Sequence, residues 1–293
     1  MLSEEKPHAH SPGVDTHFHV FAAGLSVPGA RYTPSYSASF EAWQAQAAPV
    51  GVTHGVVVQT SFMGTDNTLM LAQLALHPAT LRGVAVVASD AAPGLLASLH
   101  VQGVRGIRLN LAGQSHDMAE WRGAFALWDV LLQLGIHVEL HTDSGCLPSV
   151  IAALPLAMPL VLDHFGKPAR VSVRDESVVA IGKRIQRGGN AVHVKLSAPY
   201  RLAQGVDPAA LARLWQDELG DDALLWGSDW PHTNHESRCR YAALCDDLNQ
   251  CLGGDADAAH AALCLNPARL YEFGAPFLRP SSGNQHGCAN GLA

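Results

Sequence analysis

The sequence of 293 residues contains no apolar run long enough to cross a bilayer and no cluster of Lys or Arg. With a formal net charge of -7, the lack of basic clusters argues against a nucleic acid or an anionic membrane as the partner. The first twelve residues also lack the basic start and the apolar core of a secretory signal. These absences favour a cytoplasmic protein whose partner is a small molecule.

Cysteine is scarce and no CxxC pair occurs, which argues against a disulfide framework and against a thiolate metal site. Scattered cysteines in a chain of this size are typical of reduced thiols. Charged residues make up only 15% of the chain and hydrophobic residues 48%, so a large core can be buried. The six cysteines are Cys146, Cys239, Cys245, Cys251, Cys264 and Cys288, the last predicted to be exposed in a tail.

What the chain does contain is a regular alternation of short β-rich segments and segments with helical spacing of apolar residues. This alternation predicts parallel strands with right-handed crossovers, and eight such units are the number that closes a single (β/α)8 TIM-type barrel. A doubly wound open α/β sheet is the alternative. The predicted strands are 14–20, 55–60, 83–88, 104–109, 137–141, 160–163, 192–197 and 223–228.

The predicted barrel domain covers residues 13–278, between a disordered N-terminal segment, 1–12, and a disordered tail, 279–293, rich in Gly, Ser and Asn. The last helix is predicted to begin at Asn266, because Asn can cap the backbone and Pro267 suits the first helical position. The helical pattern ends after Phe273.

Two histidines stand at alternate positions of the first predicted strand, in Val-Asp-Thr-His-Phe-His-Val-Phe from residue 14. Because alternate side chains of a strand face the same side, His17 and His19 are predicted to project together. A buried imidazole needs a polar partner, which a divalent metal or a polar substrate would supply to both. The alternative is a pair of core histidines that hydrogen bond within the protein.

A second motif, Leu-Leu-Trp-Gly-Ser-Asp-Trp-Pro-His-Thr from residue 224, ends a hydrophobic strand at Asp229, before a proline that cannot continue the sheet. Asp229 is therefore predicted to lie at the carboxyl end of a barrel strand, as a general base or a metal ligand. The alternative is a turn or cap residue. His232 is either a partner of this carboxylate or a solvent-facing residue.

Two further histidines, His141 and His164, come at the carboxyl ends of predicted strands. Together with His17, His19 and Asp229 they form a nitrogen-rich set with one carboxylate, which suits Zn²⁺ or a neighbouring divalent ion. For His141 the alternative is a polar contact to the substrate without a metal.

Alternation along the other strands predicts more polar residues inside the barrel. Buried charges need partners, so Asp15 and Glu139 are predicted to pair with Lys195 and Arg108 in an internal ionic network. Arg108 and Arg201 are suited to clamp a substrate carboxylate, because guanidinium binds it bidentately; the alternative for Arg201 is an ordinary surface arginine. The residues predicted to face inward are Arg108, Asn110, Glu139, His193, Lys195 and Ser197.

Six motifs follow one another along the chain: Asp-Thr-His-Phe-His-Val-Phe, Gly-Thr-Asp-Asn (64–67), Gly-Val-Arg-Gly-Ile-Arg-Leu-Asn (103–110), Leu-Asp-His-Phe-Gly-Lys-Pro, Lys-Leu-Ser-Ala-Pro-Tyr-Arg and Trp-Gly-Ser-Asp-Trp-Pro-His-Thr. In this order they resemble the amidohydrolase 2 group of the amidohydrolase superfamily, and within it the 2-pyrone-4,6-dicarboxylate hydrolases. The resemblance runs from about residue 14 to residue 273 and is more specific than any single motif.

The resemblance implies a lactone hydrolase in which a histidine-rich site and an aspartate at the barrel end open a cyclic ester that carries carboxylates. By motif position it implies that Asp229 is the general base and that His17, His19 and His164 share the catalytic site. The substrate-binding residues expected are Arg108, Arg201, Ser61, His141 and Tyr200. The partner implied is a small anionic lactone.

One position departs from the resemblance, because dicarboxylate hydrolases that work without metal carry a tyrosine where this chain has His141. A histidine here matches metal-dependent relatives such as sulfomuconolactone hydrolases and decarboxylases, and also resembles sugar-lactone isomerases. Binuclear members use a carboxylated lysine on the fourth strand, where this chain has Arg108, so one metal or none is expected. The expectation is either metal-independent activity or one divalent ion, Zn²⁺ by preference, held by His17, His19, His141, His164 and Asp229.

Three other functions stay open at this point: a metal-dependent decarboxylase, a sugar-lactone isomerase, and a catalytically inactive barrel that binds dicarboxylates. The sequence makes no prediction about the oligomeric state or about any role of His232 and Lys195 in the reaction.

Overall fold

The computed structural model describes residues 11–30 and 32–274, and within them eight parallel strands form one sheet in the order β1 to β8. The sheet curls into a nearly closed (β/α)8 barrel, which confirms the predicted fold and excludes the open doubly wound sheet. The strands are β1 Gly13–Phe18, β2 Val52–Val58, β3 Leu81–Ala85, β4 Val104–Asn110, β5 His137–His141, β6 Leu160–Leu162, β7 Val192–Ser197 and β8 Leu224–Gly227. Each predicted strand overlaps an observed one.

Helices follow the strands and cover the outer face of the sheet. The α-helices are α1 Phe40–Ala47, α2 Thr68–Leu76, α3 Pro93–Val101, α4 Ala119–Arg122, α5 Phe125–Leu134, α6 Leu147–Ile151, α7 Glu176–Gln186, α8 Pro208–Leu219, α9 Tyr241–Cys251, α10 Ala256–His260 and α11 Asn266–Leu270. Short 3-10 helices span Ala48–Val50, Ser61–Met63, His164–Gly166, Pro199–Arg201 and Asp221–Ala223, and a π-helical turn spans Ala261–Leu265.

Two apolar layers hold the barrel together. The larger layer lies between the sheet and the helices and includes the buried indoles of Trp43, Trp128 and Trp215. The second is a separate cluster of strand residues, closed by Tyr271 and Phe273. Filling the interior in this way makes the barrel a packed core and leaves the strand ends for polar side chains.

The seam between β1 and β8 is not a regular ladder. Asp229 N–H donates to the His17 carbonyl at 2.7 Å, and His19 N–H donates to the Trp230 carbonyl at 2.9 Å, beside an isolated bridge between Phe18 and Trp230. Thr16 Oγ1 donates to the Trp226 carbonyl at 2.7 Å. The first and last strands are therefore joined by a few hydrogen bonds at the mouth of the barrel.

The prediction for Asp15 is wrong, because β1 shifts register between Asp15 and Phe18. Such an irregularity changes which residues face inward, so Val14, His17 and His19 point into the barrel and Asp15 points toward the helices. The buried Asp15 carboxylate accepts hydrogen bonds from described donors on β1, α1, α9 and the end of β8: His17 N, Trp43 Nε1, Tyr241 Oη, Ser228 N and Ser228 Oγ. Asp15 thus fastens the barrel seam to two helices.

The last α-helix begins at Asn266, as predicted, but the side chain of Asn266 does not cap it. Helical backbone runs through α10 and the π-helical turn into α11, so Asn266 lies inside the helical segment. A proline within a helix removes one hydrogen bond and clashes with an earlier carbonyl, and the π-helical turn ends at Leu265, two residues before Pro267. The Asn266 amide donates instead to the carbonyls of Asp221 and Leu224, at 2.7 and 2.9 Å.

The predicted terminal segments fall almost entirely outside the described residues, as does Cys288. The five cysteines within residues 11–30 and 32–274 are free thiols, as predicted. In this part of the chain, no helix combines the length and the apolar character needed to cross a membrane.

Candidate active site

A cavity of about 380 Å³ opens at the carboxyl ends of the strands, where the polar motifs of the sequence meet. Its volume lies at the low end of the range for small-molecule sites, which suits a ligand of modest size. It is lined by His19, Tyr32, Thr60, Ser61, Phe62, Arg108, Asn110, Ala112, His141, His164, Arg201, Asp229, Thr233 and Asn234.

Three imidazoles converge on one oxygen of Asp229 at the base of this cavity. The Nε2 atoms of His19, His17 and His164 lie 3.4, 3.5 and 3.8 Å from Asp229 Oδ1. In a tetrahedral site with metal–nitrogen bonds of about 2.0–2.1 Å, neighbouring ligand atoms lie about 3.3 Å apart. The predicted catalytic residues are therefore brought together, at spacings compatible with a divalent metal.

The backbone at these residues is unusual. Asp229 has φ 58° and His164 has φ 50°, both in the left-handed region. This conformation costs a residue with a Cβ atom about 1–2 kcal/mol, so the surrounding structure must hold it. One restraint on Asp229 is its backbone hydrogen bond to His17, which directs the carboxylate toward the imidazoles.

The Nδ1 atoms of these imidazoles, which point away from Asp229, contact other groups. His19 Nδ1 lies 2.7 Å from the Val58 carbonyl, which can only accept, so Nδ1 donates and Nε2 faces the cavity. His164 Nδ1 lies 2.9 Å from Ser197 Oγ, and His17 Nδ1 lies 3.1 Å from Asp163 Oδ1. Such contacts orient a histidine that binds a metal or a substrate.

Two buried nitrogens, Nε2 of His17 and Nε2 of His141, have no hydrogen-bond partner among the described residues. Burial lowers the pKa of His17 to about 3 and holds the pKa values of His141 and His164 well below 6.5. These imidazoles are therefore neutral at pH 7, and neutral imidazole is the form that coordinates a metal.

The second oxygen of Asp229 is held by Arg201 and Tyr200. Arg201 Nε lies 2.7 Å and Tyr200 Oη 2.8 Å from Asp229 Oδ2. Burial alone would raise the pKa of Asp229, but the charge of Arg201 and the nearby imidazoles hold it well below 3.8. Asp229 is thus an ionised carboxylate with one oxygen anchored and the other directed at the histidines.

A layer of buried charges lies beside the imidazoles. Arg108 Nε and Nη2 both lie 2.9 Å from Asp163 Oδ2, and Lys195 Nζ lies 2.5 Å from Glu139 Oε2. The predicted ionic network is therefore present, with Asp163 in the place expected for Asp15. Burial and the charge of Asp163 raise the pKa of Glu139, while Lys195 and Arg108 oppose this rise.

The predicted substrate-binding residues occupy two kinds of position. Arg108, Arg201, Ser61 and His141 line the cavity. Tyr200 is not among the described residues that line it; its hydroxyl contacts Asp229 and, at 3.2 Å, His232 Nδ1. Tyr200 therefore supports the carboxylate from behind, and His232 belongs to the same hydrogen-bonded group.

Several residues of the site were not predicted from the sequence. Asp163 follows β6 and alternation did not identify it, yet both Asp163 and His164 turn inward because the strand ends at Leu162 and a 3-10 helix begins at His164. Tyr32 and Asn234 reach the cavity from long loops, which have no periodicity from which a direction could be inferred. The need of Arg108 for a carboxylate partner, which the sequence analysis assigned to Asp15 and Glu139, is the signal that could have identified Asp163.

Comparison with known proteins gives one matching family model, that of Amidohydrolase, which covers residues 14–273. The 2-pyrone-4,6-dicarboxylate hydrolase of Comamonas testosteroni is 30% identical over 277 residues, 88% of this chain and 89% of the relative. A solved structure from Pseudomonas putida, described as a candidate 2-pyrone-4,6-dicarboxylic acid hydrolase, is 35% identical with a TM-score of 0.79, over 90% of this chain and 98% of the other. A second solved structure, of a candidate 2-pyrone-4,6-dicarboxylic acid hydrolase from Acinetobacter baumannii with citric acid bound, is 30% identical with a TM-score of 0.76. The match covers 89% of this chain and 99% of the other.

Proposed function

Because this chain belongs to the Amidohydrolase family, we propose that it hydrolyses a small cyclic ester bearing carboxylates, of the 2-pyrone-4,6-dicarboxylate type. The names of the Comamonas testosteroni and Pseudomonas putida relatives support this substrate class. Citric acid in the structure from Acinetobacter baumannii supports a preference for small polycarboxylates.

The observation that carries the proposal is the convergence of three imidazole nitrogens on an ionised carboxylate, under a cavity with two arginines in its lining. A cyclic ester needs an activated water at its carbonyl, a proton for its leaving oxygen and, where it bears carboxylates, cations to hold them. The base of the cavity offers the first two, and Arg108 and Arg201 offer the third.

Asp229 is the residue assigned to proton transfer. Its Oδ1 atom accepts a proton from the attacking water while Arg201 and Tyr200 hold Oδ2, so the carboxylate cannot rotate away. The same atom then returns the proton to the ring oxygen as the ester bond breaks. The ring opens to an acid and an enol or alcohol, with one water consumed.

A single divalent cation, Zn²⁺ by preference, fits this set of donors. His17, His164 and Asp229 have ligand atoms within 4.8 Å of one another and would hold it, with His19 Nε2, 3.4 Å from Asp229 Oδ1, as a fourth donor. His141 is a neighbour whose ring centroid lies 4.7 Å from that of His164. When bound, it would supply positive charge for the developing oxyanion and lower the pKa of a water. We expect about one metal ion per chain after purification with Zn²⁺ and a loss of at least about tenfold in activity after chelation, restored by Zn²⁺. Metal analysis with assays before and after chelation checks this, and full activity of chelated, metal-free protein would contradict it.

The direct test of the proposed function is hydrolysis of 2-pyrone-4,6-dicarboxylate, followed by the loss of its ultraviolet absorbance. Mass spectrometry of the product separates the alternatives, because hydrolysis adds one water, decarboxylation removes carbon dioxide and isomerisation leaves the mass unchanged. Tight binding of the pyrone without any product would indicate an inactive dicarboxylate-binding barrel.

Replacing Arg201 with lysine is expected to raise KM for the dicarboxylated pyrone by about 10–100-fold, because a guanidinium that bonds an anion through two N–H groups becomes a single point charge. Turnover should fall as well, since Arg201 also holds Asp229. Steady-state kinetics with the dicarboxylate and with a pyrone monocarboxylate check this. The exposed Arg238, replaced by lysine, is the control, expected to stay within about twofold of the original protein. An unchanged KM for both substrates would remove Arg201 from substrate binding.

A further inference from the structure

Lys195 is a buried cation to which the proposed reaction gives no role. Its side chain has no exposed surface, and it is not among the described residues that line the cavity. An isolated ammonium is costly to bury, so its surroundings must compensate for the lost water.

Three groups surround the ammonium at short range. Lys195 Nζ lies 2.5 Å from Glu139 Oε2, 3.3 Å from His17 Nδ1 and 3.5 Å from Asp163 Oδ1. The same three residues, His17, Glu139 and Asp163, have ligand atoms within 4.8 Å of one another, close enough to hold a metal ion. The ammonium of Lys195 therefore lies where a second cation would be held, next to Nδ1 of His17.

The charges around the Lys195 ammonium favour a cation that is part of the chain over a freely bound metal ion. Glu139 Oε1 lies 3.6 Å from Arg108 Nε, so the two carboxylates and the two basic side chains alternate around the cluster. Without the ammonium, Glu139 and Asp163 would share one guanidinium. The carboxylates could then move. Because Asp163 contacts His17 Nδ1 at 3.1 Å, His17 would move with them.

We propose that Lys195 is a built-in cation that takes the place of a second metal ion and positions His17 for the hydrolytic site. The inference rests on the proposed function only for its effect on turnover. Its two structural consequences are independent of the reaction: the vacated position should accept another cation, and it should discriminate cations from neutral molecules of the same size.

The test uses Lys195→Ala, which leaves a space shaped for propylammonium, and Lys195→Met, which keeps the volume without the charge. We expect Lys195→Met to lower kcat by about 100-fold with little change in KM, because Lys195 touches His17 and not the cavity. Equilibrium dialysis of the Lys195→Ala protein with Zn²⁺ should show one more bound ion per chain than the original protein. Propylammonium should raise the thermal midpoint and the turnover of Lys195→Ala and displace the additional Zn²⁺, whereas 1-propanol should do none of these.

Equal effects of propylammonium and propanol, or an unchanged Zn²⁺ stoichiometry together with unchanged kcat, would overturn the proposal. Where Lys195→Met alone does not fold, the double variant Lys195→Met/Glu139→Gln removes both charges of the closest pair, and near-normal kcat in it would also overturn the proposal. Stability and ion binding are measured without substrate, so failure of the original protein to hydrolyse the pyrone would leave these readouts intact. The two hypotheses can therefore fail separately.

Discussion

Replacing Asp229 with asparagine is expected to lower turnover of the pyrone by about 1,000-fold or more while the barrel remains folded. The amide has the shape of the carboxylate but cannot accept a proton from water, and it is a poorer partner for a divalent ion. Arg201 and Tyr200 can still contact the amide oxygen, so the loop after β8 should keep its position. Steady-state kinetics and circular dichroism, measured on the same preparation, check both parts of this expectation.

The matched control is Asp143→Asn, in the loop after β5. Asp143 accepts hydrogen bonds from Gly113 N, at 3.0 and 2.9 Å to its two oxygens, and it is not among the described residues that line the cavity. Its turnover should stay within about threefold of the original value, since it contributes no group to the reaction. If Asp229→Asn kept a tenth or more of the activity, the proton transfer would belong to another residue.

Replacing Asp15 with asparagine is expected to lower the free energy of unfolding by about 3 kcal/mol, because several buried donors would lose a charged acceptor. Trp43 Nε1 and the backbone N–H groups of His17 and Ser228 can only donate, and an amide nitrogen cannot accept from them. Burial raises the pKa of Asp15, and the hydrogen bonds from Ser228, Trp43 and His17 oppose that rise. Urea titration followed by tryptophan fluorescence measures the change.

The control for Asp15 is Asp207→Asn at the exposed N-terminus of α8. Asp207 Oδ1 accepts a hydrogen bond within the helix cap from Ala209 N at 3.0 Å, and asparagine caps helices about as well as aspartate. Its free energy of unfolding should change by less than about 0.5 kcal/mol. If the two variants were equally stable, the seam of the barrel would not depend on the Asp15 carboxylate.

The fold could be predicted because each unit repeats one simple pattern, an apolar strand and then a helix, and because eight parallel units close a barrel. The convergence of His17, His19, His164 and Asp229 followed from the same rule, since all four lie near the carboxyl ends of strands. Residues so far apart in the chain could be placed together without any knowledge of their contacts.

What alternation could not show is where the backbone departs from regular geometry. The register shift in β1 turned Asp15 outward, and the short 3-10 helix after β6 brought Asp163 inward beside His164. The direction of Tyr200 depended on a 3-10 helix after β7 in the same way. Each of these corrections arises at a strand end or an irregular strand, where a period of two no longer applies.

The residues of the active site lie on both sides of the seam between β1 and β8, so the site is complete only when the last strand is docked. His17 and His19 come from the beginning of the chain and Asp229 from near its end, and hydrogen bonds across this seam, including those from Ser228 to Asp15, hold the two edges together. A protein with seven strands docked and the eighth still undocked would possess no complete set of reacting groups. Local opening at this edge, visible as exchange of the amide hydrogens of His19 and Asp229, would therefore silence the site before the barrel as a whole is lost.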